Sequence, residues 1–276
     1  MFRAAAETAQ DRGFLWRFGH KGRVSYLYGT SHAGRAEWLA PGPKLRSALM
    51  SATAIAVEVD ISNTKVQNAM ASSMDSAPRD LPDGLRQRVT AAWEAECLPA
   101  QALERGPTEV LVAQLEVARL ARSGFHAMYG SEFLLLSVGH ARQLPIVSLE
   151  DVDTQVAALS APDNASAVKL IDSMLNDMAD DESGERAMRL INAWANRDLM
   201  SLEAFETWCE CLNTEQEREQ MKRLLDDRNP GLADGIAAAH EQGHLLFAAV
   251  GALHMIGPKG VPALLKAKGY EVQRVF

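Results

Sequence analysis

The sequence predicts an α/β (α+β) protein: a mixed central β-sheet built from both chain ends, with a large helical middle region between them. Three observations carry this reading. Runs of β-prone residues crowd into 14–62 and 244–276. Residues 63–243 repeat apolar side chains at three- and four-residue steps, apart from one strand-like run near 146–149. No Gly/Ser-rich or Pro-rich linker interrupts the chain, so 1–276 reads as a single domain.

The elements follow in order. Residues 14–18 and 24–28 are β-prone and flank Lys21-Gly22, the pattern of a β-hairpin. Residues 43–50 read as a helix with Pro43 in its first turn. Residues 53–59 form a short apolar strand ending in Glu58-Val59-Asp60, which completes a strand–helix–strand crossover. Helices follow over 85–96 and 109–122, after a turn at Leu81-Pro82-Asp83-Gly84. Residues 145–150 read as a buried strand that again ends in a carboxylate, Glu150. A second helical stretch covers 165–241, broken near 180–184 and at Asn229-Pro230. The chain closes with a strand (245–250), a helix (260–268, Pro262 in its first turn) and a strand (270–276).

Composition narrows the function classes. A net charge of −8 argues against nucleic acid, whose phosphates need a basic surface. No apolar run approaches the ~18 residues of a membrane span. The first seven residues lack the apolar core of a signal peptide, so the sequence as given reads as cytoplasmic, or as periplasmic or secreted if an export signal has been removed. Cys97, Cys209 and Cys211 are too few for a disulfide framework. Cys209-Glu210-Cys211 reads as incidental helix thiols.

Both ends of the chain finish a β-prone run on one pattern: Gly29-Thr30-Ser31-His32 and Gly251-Ala252-Leu253-His254. A terminal glycine lets the backbone turn tightly, so that the polar residue beyond it stands at the sheet's C-terminal edge, where open α/β sheets bind ligands. Glu58 ends another strand and belongs to the same edge. Two imidazoles and a carboxylate with open positions suit a divalent metal ion and a water. The two motifs also read as an imperfect internal repeat.

Competing motifs are weaker. His240-Glu241-Gln242-Gly243-His244 satisfies HExxH, but Gly243 falls where the helix should end, so the two histidines diverge and the match reads as coincidence. Arg228 reads either as a solvated helix end or as a fixed cation near developing negative charge. His20, His126 and His140 have no partner motif. Walker, Rossmann and GxSxG signatures are absent from the sequence.

Tyr26-Leu27-Tyr28-Gly29-Thr30-Ser31-His32, Val57-Glu58-Val59-Asp60, Arg228-Asn229 and the block from Val250 to Gly257, followed by Gly260-Val261 and Gly269-Tyr270-Glu271-Val272, resemble the TraB/PrgY/GumN family. Ser148-Leu149-Glu150 with Gln155 resembles its central segment. The resemblance implies the fold shared with Tiki proteases, erythromycin esterases and haem-binding ChaN-like proteins. It also implies Mn²⁺- or Co²⁺-dependent proteolysis, with Zn²⁺ as a further candidate. On that analogy His32, His254 and Glu58 are metal ligands, and these three with Arg228 form the catalytic set. Asn229 and Glu150 take the substrate-binding role. The chain departs from the family at Gly130-Ser131-Glu132, where relatives carry Gly-Ile-Asp, and the resemblance assigns Glu132 no role.

The expectation is therefore a divalent-metal-dependent hydrolase acting on a peptide or small-molecule substrate. Its rivals are a non-catalytic protein that binds haem or a peptide signal, and a metal-independent esterase in which His32 and Glu58 activate water directly.

Overall fold

The computed structural model describes residues 9–180 and 183–276. The seven N-terminal residues read above for an export signal, and part of the expected break at 180–184, lie outside them. Six strands form one sheet: β1 (Phe14–His20), β2 (Arg23–Thr30), β3 (Ala54–Val57), β4 (Ile146–Ser148), β5 (Leu246–Gly251) and β6 (Glu271–Arg274). Their spatial order is β4-β3-β5-β2-β1-β6. β2 pairs parallel with β5, β5 with β3 and β3 with β4, while β1 runs antiparallel to both β2 and β6. Both chain ends therefore build the mixed sheet.

Local sequence explains each piece. Lys21 and Gly22 both take positive φ (51° and 80°), the turn that matches the right-handed twist of β1 and β2. β3 and β5 are buried along almost their whole length, as expected for parallel strands covered on both faces, and they read as unbroken apolar runs. The helix Pro43–Ser51 packs Leu45 and Leu49 into that core, and the helix Asn229–Glu241 adds Leu232 and Ile236. Pro230 sits in the first turn of the latter helix, so the expected break at Asn229-Pro230 is a helix start.

The helical middle carries apolar clusters of its own, including Leu81, Leu85, Val89, Val112, Ile171 and Leu175. One ion pair fastens it. Arg79 donates through Nε and Nη2 to the fully buried carboxylate of Glu109, which also accepts from the Ala161 N–H at 3.0 Å. Burying that carboxylate is tolerable only because its hydrogen-bonding capacity is filled.

The cysteines differ from expectation. The helix Phe205–Trp208 stops before them, and Glu210 takes a left-handed φ of 52°. That turn brings Cys209 and Cys211 onto one side with Cα atoms 5.1 Å apart, and they are joined in a disulfide.

Candidate active site

Because β2, β3, β4 and β5 run in one direction, the residues that follow them reach a single edge of the sheet. His32 follows β2, Glu58 follows β3, Glu150 follows β4, and His254 lies in the 3₁₀ turn Ala252–Met255 directly after β5. In sheet order the rim reads Glu150, Glu58, His254, His32.

Gly251 is the point on which they converge. A Cβ placed there would stand 3.4 Å from Glu58 Oε1, 3.4 Å from His254 Cδ2 and 4.0 Å from His32 Nε2. Its backbone (φ −50°, ψ 141°) is open to any L residue, so the glycine serves space and not torsion. Gly29 behaves likewise: a Cβ there would meet Met255 Cγ at 3.1 Å and Ala252 Cα at 3.3 Å. The tight-turn role given to these two glycines by sequence reasoning is therefore wrong. The repeat is also out of step, since Gly251 pairs with Thr30 and not with Gly29.

Each histidine is fixed through Nδ1. His254, 4% exposed, donates from Nδ1 to Asn229 Oδ1 at 2.7 Å, which leaves Nε2 with its lone pair. His32, whose side chain is 69% exposed, forms an ion pair through Nδ1 with Glu132 Oε1, 2.9 Å away. Glu132 stands in the first turn of the helix Ser131–Ala141. That helix start grips the His32 loop: Ser31 N–H donates to Ser131 Oγ at 2.8 Å, and Ser131 N–H donates to Ser31 O at 3.0 Å.

Glu58 is held by three donors. Its Oε1 accepts from the Gly251 N–H at 2.6 Å, and its Oε2 accepts from Arg228 Nη2 at 2.5 Å and Gln155 Nε2 at 3.3 Å. Arg228 binds Glu150 through Nε and Nη2 together, and Nη1 donates to Leu224 O at 3.0 Å. The Leu224 carbonyl belongs to a π-helical turn, Lys222–Asp226, of the kind often found at functional sites. With four hydrogen bonds committed, Arg228 has one N–H left of its five. Its main work here is to position Glu58.

Charge follows from these contacts. Glu132 raises the His32 imidazolium to about 9, by its charge and its hydrogen bond. Burial opposes ionisation of Glu58, yet the neighbouring His254, Arg228 and His32 cations and the Gly251 N–H outweigh it and hold the carboxyl at about 2. Burial drives His254 down to about 4, so it is neutral at pH 7, and Arg228 and the His32 imidazolium supply the attraction on Glu58 there.

The expected substrate residues Asn229 and Glu150 stand one layer back. Asn229 is 2% exposed and holds His254, and Glu150, with its side chain 7% exposed, holds Arg228. Neither lines a cavity at the site. Glu132 is the residue that sequence reasoning left without work. The expected three-ligand metal set also needs correction: among the described residues, no group of three His, Cys, Asp or Glu side chains is close enough together to hold an ion. Each imidazole has its Nδ1 beside a protein partner, and His32 Nε2 and His254 Cδ2 are the ring atoms nearest the space beside Gly251, the ring side a histidine presents to a metal when its Nδ1 is held. Both Glu58 oxygens already accept protein hydrogen bonds. The HExxH histidines are unrelated to the site. His240 is fully buried with Nδ1 against Ser25 Oγ at 2.8 Å, Glu241 pairs with His20 and Arg23, and Gly243 (φ 98°) turns the chain away before His244.

Fold and rim together define an α/β protein with a polar, histidine- and glutamate-bearing site at the C-terminal edge of its parallel strands. The TraB/PrgY/gumN family profile matches residues 14–274, and the chain belongs to that family. It is 23% identical over 252 residues to the "Uncharacterized protein YbaP" of Shigella flexneri, with 88% of each chain covered. The protein of the same name from Escherichia coli K12 matches to the same extent, 23% over 252 residues and 88% of each chain. No solved structure matches the chain. No helix among the described residues is long and apolar enough to cross a membrane.

Proposed function

We propose that the protein is a hydrolase cutting an amide bond in a peptide substrate, with a divalent metal ion (Mn²⁺, Co²⁺ or Zn²⁺) held by His32 and His254 beside Glu58. The observation that carries this reading is the methyl-sized space left by Gly251, around which His32 Nε2, His254 Cδ2 and Glu58 Oε1 are the nearest atoms. Three carboxylates (Glu58, Glu132 and Glu150) against the Arg228 guanidinium and the His32 imidazolium leave one surplus negative charge, which supports a cation there.

A divalent ion held there by His32 and His254 would supply a bound water acidic enough to ionise near neutral pH. The chain's own residues do the rest. Asn229 and Glu132 hold the two Nδ1 atoms, so neutral His254 offers Nε2 directly and His32 offers it once an ion displaces the proton of its imidazolium. Arg228 and the Gly251 N–H fix the Glu58 carboxylate, which accepts the hydrogen bond of a water in the same space and orients it. The Cys209–Cys211 disulfide supports an oxidising compartment, the periplasm or the exterior, as the working environment.

The test is metal content and peptide hydrolysis of the purified chain, stripped by chelation and reloaded with Mn²⁺, Co²⁺ or Zn²⁺, beside His32→Ala and His254→Ala. Metal and turnover disappear together in each variant. Turnover that survives exhaustive chelation overturns the metal and favours the esterase reading; metal retained in the double variant overturns the ligand assignment.

A further inference from the structure

Two cavities meet at the rim. The larger, about 340 Å³, is bounded on one side by His32, Glu58, Arg228 and His254. Its opposite wall is apolar: Val117, Leu120, Leu190, Ile191, Leu224 and Leu225 all face into it, from helices distant in sequence. Trp194 also lines it, but its only polar atom, Nε1, is spent on Gly29 O at 2.8 Å, so the ring offers the chamber carbon alone. The smaller cavity, about 170 Å³, lies beyond Glu58; Val57, Val59, Ile61, Phe133 and Leu136 give it an apolar wall, and Glu132 and Gln155 line it as well. Thr30, His32 and Glu58 line both. A molecule touching His32 and Glu58 therefore has a cavity on each side, of unequal size: a large chamber with an apolar wall, and a smaller recess whose apolar wall is shared with Glu132 and Gln155.

We propose that the site takes an uncharged carbonyl compound with a bulky aliphatic group on one side of the carbonyl, seated in the larger chamber, and a smaller apolar group on the other, seated in the recess. This rests on the hydrolase reading and adds the substrate class to it. Five partly exposed aliphatic side chains turned into one concavity are otherwise an unexplained apolar surface. The apolar wall offers no partner for a charged side chain, and burying a charge there unpaired is costly. A chamber of this size is at the lower end of the ~300–1,000 Å³ of small-molecule sites, enough for a branched side chain and too small for a folded segment.

The probes are non-cleavable methyl ketones of N-acetylated leucine, glycine, lysine and glutamate, titrated calorimetrically into the full chain. The leucine ketone binds at least about tenfold tighter than the glycine ketone, and the charged pair no better than glycine. Replacing the methyl of the leucine ketone by benzyl weakens binding, because the recess is the smaller cavity. Ala187→Trp, which fills the chamber from its helical wall, removes the leucine preference and leaves the glycine ketone unchanged. If that variant fails to fold, the wild-type series decides by itself. Equal binding of leucine and glycine ketones, preference for a charged one, or no binding at all overturns the proposal. Leucine preference without hydrolysis of any amide or ester retains this proposal and sinks the hydrolase. Hydrolysis of amides or esters without side-chain preference does the reverse, and comparison of the two bond types shows which carbonyl compound is cut.

Discussion

Gly251→Ala is the sharpest test of how the site is built. The new methyl would lie 3.4 Å from Glu58 Oε1 and from His254 Cδ2, both ordinary van der Waals contacts, on a backbone (φ −50°, ψ 141°) that alanine adopts without strain. The N–H that Glu58 accepts is retained. The folded state therefore loses little, and the unfolded chain loses entropy, a gain of about 0.4–1 kcal/mol. Denaturant unfolding should move by less than about 1 kcal/mol in either direction. Yet the methyl stands in the space the three groups enclose, and metal–ligand bonds are only about 2 Å long. Divalent-ion affinity, read by competition with a chromogenic chelator, should fall at least about tenfold, and turnover should fall with it.

Gly22→Ala is the natural control. Gly22 holds φ 80° with nothing within 4 Å, so its substitution strains the hairpin and leaves the site alone. It should lower stability by about 1 kcal/mol with unchanged ion affinity. If Gly251→Ala keeps full affinity and turnover, the space beside Gly251 is not where the chemistry happens. If it destabilises the protein as Gly22→Ala does and leaves ion affinity unchanged, the glycine is there for torsion after all.

Three further outcomes follow from the contacts. Asn229→Ala frees the His254 Nδ1 hydrogen and should cost about 10–100-fold in metal affinity or activity, whereas Asn229→Asp keeps an acceptor and should recover much of it; equal losses refute the tautomer role. Arg228→Ala leaves the buried Glu58 and Glu150 carboxylates unpaired, so urea unfolding should show a loss of about 3–5 kcal/mol. In the same variant kcat should fall on the order of a hundredfold, and unchanged turnover removes Arg228 from the site. Finally, burial lowers the pKa of His240 below its ordinary 6.5. Below pH 6.5 the unfolded chain binds a proton that the folded chain refuses, so this contribution to stability is complete above that pH and is lost as pH falls through and below it. His240→Gln should flatten the drop in unfolding free energy between pH 7.5 and pH 5; parallel curves for variant and wild type would contradict it.

What the sequence discloses is what local pattern controls. The hairpin at Lys21-Gly22, the strands before His32, Glu58 and His254, and the diverging HExxH histidines all follow from residues within a few positions of each other. Convergence at one edge was legible because parallel strands that end in polar residues must deliver them to the same side. Contacts between distant segments were not. Glu132 meets His32 only because Ser131 docks on Ser31, 100 positions earlier. The space-keeping role of Gly251 depends on where Glu58 and His254 arrive, which no torsional preference encodes. The disulfide needed Glu210 in the left-handed region, a conformation the helix-like run around it does not announce.

The division of labour between the two parts of the chain has a mechanical consequence. The ends supply five of the six strands and the rim residues His32, Glu58 and His254, while the middle supplies β4, Glu150, Arg228 and the apolar wall, so the histidines and the wall come from residues far apart in sequence. Trp194 is one of the residues that join them. Trp194 donates from Nε1 to Gly29 O, accepts from Gly13 N–H at 3.0 Å through its carbonyl, and packs its ring edge-to-face against Tyr28, with centroids 6.5 Å apart. It thereby fastens the wall helix Ser183–Asn196 to β2, two residues before His32 begins its loop. The distance from apolar wall to polar rim is set at that fastening. Substitutions along Leu120, Leu190 or Leu225 reshape the chamber locally, but a change at Trp194 shifts the wall and the His32 strand relative to one another, and so alters selectivity and turnover together.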